Sequence, residues 1–292
     1  MYTSFEDILL DSKEMDIPFW KVIQLDDCRE QNISEEQSFL KMQTMYAAMA
    51  DSINNYDPSL HSQSNLVGEE GEKVRKRRES GNLLSGNFIG KIMERALMVA
   101  ESNACMKRIV AAPTAGSCGI LPAVLVTIQE EKNYSEQQMV ESLYVAAGIG
   151  SVISARASLA GAYGGCQAEI GSASAMCAGA ITYLEGGTNE QILDALSISI
   201  KGLLGLVCDP VAGLVEVPCV KRNVIGAVNA ITSSDLALSN VHSKIPADEV
   251  IDAMKSVGHA MHPDLKETGK GGLAACPTAQ RIAAQLLKHK DE

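Results

Sequence analysis

The chain has 292 residues, 46% apolar and 21% charged, the make-up of a globular protein rather than a disordered one. That length allows one large domain or two modest ones, burying about three quarters of the unfolded surface. Acidic residues outnumber basic ones, 36 to 25, and the formal charge of −11 argues against nucleic acid or an anionic membrane as main partner. At 4% aromatics, neither a base-stacking platform nor an aromatic-rich β-sandwich is expected.

The opening residues, MYTSFEDILLDSKEM, have neither a basic start nor an apolar run, so no signal peptide is expected. No apolar stretch reaches the roughly 18 residues of a membrane span. The eight cysteines show no dense, short-spaced framework. They therefore predict a reducing, cytoplasmic setting, with thiols that are free, core-packed or metal-bound.

Ser34-Glu35-Glu36-Gln37 has the form of a capping box and predicts a helix to about Tyr56, with Phe39, Met42, Met45, Tyr46 and Met49 at helical spacing. Ser135-Glu136-Gln137-Gln138 and Thr188-Asn189-Glu190-Gln191 open two more helices in the same way. Pro246-Ala247-Asp248-Glu249 opens a fourth, with proline tolerated in a first turn where its missing N–H has no partner to lose. The stretches between are rich in alanine and poor in β-branched alternation, and no hairpin chemistry is visible. The predicted fold is all-α: a helical lead-in over 1–65, a linker over 66–85 and an all-helical domain over 86–292. The charge run from Glu69 to Glu79 reads as a solvated loop or an exposed helix face.

Three glycine-punctuated breaks carry chemistry-bearing residues. Ala112-Pro113-Thr114-Ala115-Gly116-Ser117-Cys118-Gly119 precedes a helix, where hydroxyls, amides and the positive dipole end suit a carboxylate or phosphate; a plain cap explains it equally. Gly161 to Gln167 ends in Cys166 at a helix start, a setting that lowers a thiol pKa. Val207 to Arg222 holds two prolines, Cys208, and Cys219 just before a helix. Cys166, Cys208 and Cys219 thus lie in breaks, whereas Cys28, Cys105 and Cys177 fall in predicted helices, where an inert packed thiol is usual. The wide spacings match no zinc-finger pattern. Three thiolates with a vacant fourth position suit a [4Fe-4S] cluster with one open iron, and core cysteines account for the same residues. Lys266 to Leu273 is a further glycine-rich turn, able to close on an anion or simply to join two helices. His259 and His262 are spaced to share a helix face, with packing or surface the plainer reading.

At these residues the chain resembles the α subunit of bacterial iron–sulfur-dependent L-serine dehydratase. The likeness is strongest in APTAGSCGILPAVL, GGCQAEIGSASAM, GLVCDPVAGLVEVPCVKRN and ETGKGGLAA. It implies an all-helical catalytic domain, a [4Fe-4S] cluster on Cys166, Cys208 and Cys219, L-serine as substrate and a β subunit as partner. An open iron would act as Lewis acid on the serine hydroxyl. Thr114, Gly116, Ser117 and Gly119 are then expected at the substrate carboxylate or amino group, with Thr114 and Ser117 also catalytic. Lys221 and Arg222 either offset cluster charge, face the carboxylate (Arg222 as a substrate contact), or lie on the surface. The general base is left to Lys270, a histidine of this chain or the β subunit. Two departures stand out: Val67-Gly68-Glu69-Glu70-Gly71-Glu72 replaces a Gly-Gly-Asp-Ala-type turn, and Cys276 stands where a small residue such as Thr is expected. Two rival readings are a pyridoxal-phosphate lyase, usually on an α/β scaffold, and a non-catalytic helical partner subunit.

Overall fold

A computed structural model describes residues 1–288. Among the described residues thirteen α-helices follow one another: α1 (Phe5–Met15), α2 (Phe19–Gln31), α3 (Glu35–Asn54), α4 (Glu70–Glu79), α5 (Gly86–Ala104), α6 (Ile120–Lys132), α7 (Glu136–Arg156), α8 (Gly161–Gly164), α9 (Ser172–Leu184), α10 (Asn189–Leu203), α11 (Cys219–Leu238), α12 (Ala247–Ala260) and α13 (Pro277–Lys288). Among the described residues β pairing is limited to two isolated bridges, His61 with Gly68 and Cys208 with Lys266. The all-α expectation holds.

The helix starts follow from local chemistry. Ser34, Ser135 and Thr188 each accept a hydrogen bond from the backbone N–H three residues on (3.2, 3.3 and 3.3 Å). Gln37, Gln138 and Gln191 reach back to the cap N–H (3.0, 3.0 and 2.9 Å), completing three capping boxes. Pro246 sits one position earlier than expected, as the cap of α12 rather than inside its first turn. His262 lies beyond the end of α12, where its ring Nδ1 accepts from the Asp264 N–H (3.2 Å), so it shares no helix face with His259.

α9 is the buried centre of the molecule, packed between α6, α7, α10 and α11. Its Ala, Gly and Ser content permits that: a β-carbon on Gly179 would stand 2.2 Å from Ile149 of α7. The main apolar core runs from Phe5, Ile8 and Phe19 of the lead-in through Ile149 and Ile181 to Val250 and Met254. The lead-in and the later helices therefore bury one another, each large side chain contributing about 1.5–3 kcal/mol.

The segment expected as a linker contains a helix, α4, packed along α5. Its N-cap residue, Glu69, is left-handed (φ 63°) and makes no side-chain cap bond of its own. The caps come from elsewhere: Glu101 of α5 accepts from the N–H groups of Glu70 (2.6 Å) and Gly71 (3.3 Å) while holding the Tyr56 hydroxyl (2.6 Å). A carboxylate there also opposes the positive end of the helix dipole. Farther along, Arg78 donates to the buried Glu94 (2.7 Å), and Val67 packs with Leu97, Ala100 and Val220.

Candidate functional site: a thiol-lined centre between loops

Four irregular segments meet at one place, each held by long-range bonds. Residues 114–117 form a 3-10 turn in which the Thr114 and Ser117 hydroxyls pair (3.1 Å). Asn223, fully buried on α11, clamps this turn: it accepts from the Gly119 N–H (2.8 Å) and donates to the Gly116 carbonyl (2.8 Å). The amide expected to meet a substrate at Gly119 is thus already committed. That residue is glycine for closeness instead, since a β-carbon would stand 2.5 Å from the Ala96 carbonyl.

The second segment runs from α8 into a π-helical turn, Gln167–Gly171, just after Cys166. Such turns are rare and frequent at functional sites. Buried Gln167 fixes it, donating to the Met254 carbonyl and accepting from Gly205 N–H (both 2.9 Å). The turn carries Glu169, three residues after Cys166 and half-buried. The third segment, Val207 to Pro218, brings Cys208 and leads into Cys219, the first residue of α11. The fourth, residues 264–273, is sewn to it: Cys208 N–H donates to Leu265 O (2.8 Å), and Glu267 N–H donates to Cys208 O (2.9 Å).

Cys166, Cys208 and Cys219 are 2%, 3% and 7% exposed, and all three are free thiols. They are close enough that the Cys166 and Cys219 charges raise the Cys208 pKa and the Cys166 charge raises that of Cys219, though burial dominates. Burial pushes Cys166 up to about 11, with the Arg222 cation as the leading opposing influence, and Cys219 up to about 12; Cys208 is raised further by burial. The low Cys166 pKa expected from a helix start is overturned, because lost hydration outweighs the dipole of the helix that follows.

Glu169 is the residue sequence reasoning missed. Its carboxylate lies among the expected site residues: a β-carbon on Gly161 would meet Glu169 Oε2 at 2.9 Å and Cys208 Sγ at 3.1 Å, and one on Gly116 would meet Glu169 Oε1 at 3.4 Å. Burial first and the Glu267 charge hold its pKa above the ordinary value, with the neighbouring Thr114 hydroxyl acting in the opposite direction. The signal was its spacing from Cys166, one helical turn. Thr114, Gly116 and the three cysteines therefore gather around Glu169, with Ser117 behind Thr114.

The other expected residues are placed differently. Arg222 has its guanidinium committed to Val207 O (2.8 Å) and Asp209 Oδ1 (2.9 Å) beside Cys166, while Lys221 points away to Glu70. Lys270 is exposed on the 264–273 loop. Cys276 is also exposed, its sulfur 4.0 Å from the Gly272 carbonyl. Cys28 lies within α2, Cys177 is wholly enclosed in α9, and Cys105 caps the end of α5 rather than lying inside it. The unusual 67–72 stretch leads into α4 and abuts the start of α11, Val67 packing with Val220 and Glu70 pairing with Lys221.

Among the described residues no three His, Cys, Asp or Glu side chains are spaced to grip one metal ion. Three buried thiols from two loop segments, beside a fixed cation, are instead a donor set fit for a polynuclear group, whose ligands sit on different metal atoms and so stand farther apart.

The architecture is thus an all-helical protein with a buried thiol-lined centre built from inter-helix loops. Residues 14–274 match the family described as serine dehydratase alpha chain, and the chain belongs to that family. It is 42% identical to a probable L-serine dehydratase alpha chain of Bacillus subtilis over 98% of this chain and 96% of that one. Identity to the L-serine dehydratase alpha chain of Peptoniphilus asaccharolyticus is 41% over the full length of both. A longer relative, L-serine dehydratase TdcG of Escherichia coli, aligns with 64% of this chain at 41% identity, a match that spans 42% of its own length.

Proposed function

We propose that this chain is the cluster-bearing α subunit of an L-serine dehydratase, a lyase that converts L-serine to pyruvate and ammonia together with a β subunit. The observation that carries the reading is the gathering of three buried thiols around the Glu169 carboxylate, in a chain whose relatives are named for that activity. Cys166, Cys208 and Cys219 would hold a [4Fe-4S] cluster. When bound, the cluster supplies a Lewis-acidic iron that eases departure of the β-hydroxyl.

The chain's own residues bind and orient. Glu169 offers a carboxylate to the substrate ammonium, and low surrounding dielectric strengthens that pairing. Thr114 lies beside Glu169 and is itself aligned by Ser117, so a hydroxyl stands ready next to that carboxylate. Gly116 and Gly161 leave the space a substrate needs against Glu169, because a β-carbon at either position would enter it. Loss of water from serine leaves aminoacrylate, which tautomerises and takes water back to give pyruvate and ammonia.

The test is anaerobic purification with and without a β partner, counting iron and sulfide, recording the absorbance spectrum and assaying pyruvate from L-serine. The expected result is a broad iron–sulfur absorbance, and activity of the assembled enzyme lost on Cys208→Ala. Metal-free, inactive protein under both conditions would end the reading. A pyridoxal-type spectrum with activity retained in Cys208→Ala would replace it.

A further inference from the structure

Arg222 lies on α11 three residues after Cys219, and its side chain is 14% exposed while that of Asp209 is 4% exposed. Two of its N–H groups donate to Val207 O and Asp209 Oδ1, the residues on either side of Cys208. The same guanidinium faces the Cys166 sulfur. The second Asp209 oxygen, Oδ2, accepts from the Leu273 N–H (2.7 Å). One cation thus bears on all three cysteine segments, and its carboxylate partner fastens the 264–273 loop over them.

Stability alone is a poor reason for such a pair. Desolvation costs several kcal/mol per ion, and apolar replacements of buried pairs are often equally stable. What the pair does supply is register. Ligands ordered in advance need not be ordered when a metal group arrives, and outer-shell partners commonly set both affinity and orientation. Binding also turns thiols into thiolates, adding negative charge that a fixed guanidinium offsets. Lysine is no substitute, since one ammonium on a flexible stem lacks the planar fork that spans Val207 O and Asp209.

We propose that the Arg222–Asp209 pair is a positioning device that holds Cys166, Cys208 and Cys219 in ligand register and locks the 264–273 loop over Cys208. The inference rests on the three-thiolate reading above, and its test separates the two. Full-length wild type, Asp209→Asn, Arg222→Lys and Arg222→Gln are compared in two arms. In the first, each chain is loaded anaerobically with ferrous iron and sulfide, then examined by electron paramagnetic resonance and by the rate of iron loss to a chelator. Asp209→Asn and Arg222→Lys are expected to lose iron about 10–100-fold faster, with altered spectra, at unchanged far-UV circular dichroism. In the second arm the metal-free chains react with a bulky thiol reagent, and Cys208 labelling, read by mass spectrometry, is expected to speed up at least tenfold in the same variants.

Folded variants with wild-type iron release, spectrum and labelling would overturn the proposal. Wild type that takes up no iron or sulfide sinks the cluster reading instead, and unchanged Cys208 labelling in the variants then sinks the positioning role as well. If Arg222→Gln fails to fold, Asp209→Asn and Arg222→Lys still decide.

Discussion

Helices α10 and α11 pack against each other, yet their N-termini are built on different principles. Thr188 and Gln191 cap α10 through bonds spanning three residues, and the face carrying Ile192, Leu196, Ile200 and Leu203 is buried behind them. α11 begins at Cys219 with no side-chain cap. Its first turn is defined by Asn223 holding the 116–119 backbone, more than a hundred residues earlier, and by Arg222 holding the loop around Cys208. A helix end made by neighbours in sequence serves the fold. One made by distant segments brings reactive side chains together, and it fails in a different way when cut.

The sharpest contrast comes from the core. Ile149→Ala removes a fully buried side chain pressed against Gly179, and such truncations cost about 2–5 kcal/mol. Urea unfolding should lose that much, while the enzyme still folded in buffer keeps its rate of pyruvate formation. A large fall in rate at full folding would mean that the α7–α9 packing also sets the site. Next in size is Asn223→Ala. It strands the buried Gly119 N–H and the Gly116 carbonyl, at about 1–3 kcal/mol. Here the rate should fall at least tenfold in protein that remains folded, because the Thr114 turn loses its anchor. Wild-type activity in that variant would erase the distinction between the two helix ends.

The same distinction explains what was legible in the sequence. The boxes at Ser34, Ser135 and Thr188 carry their whole explanation within four residues, and the helices they open stand where those residues place them. The charge run of α4 left a solvated loop and an exposed helix face equally open; the helix is the one that forms, and its caps come from Glu101, thirty residues downstream, where local sequence does not show them. The cysteines in the breaks could be singled out by their loop positions, and the resemblance could name them as a set. Neither pointed to Glu169, whose importance appears only when Gly116 and Gly161 fold against it. The expected low pKa of Cys166 failed for a related reason: a dipole is read from local sequence, whereas burial is conferred by the rest of the chain.

The smallest effect tests the local side of the contrast. Thr188→Ala deletes a hydroxyl that accepts the Gln191 N–H at an exposed helix end, a loss worth about 1 kcal/mol. Gln191 keeps other partners, since its amide also reaches Ala237 O and Asn240 Oδ1 (both 3.3 Å), so the turn stays attached to the end of α11. The urea midpoint should fall slightly with an unchanged slope, Thr188→Ser should restore it, and pyruvate formation should not move. A loss well beyond about 2 kcal/mol, or any fall in rate, would show that this cap reaches past its own helix. The division between ends built for the fold and ends built for chemistry would then not hold even where the bonds are local.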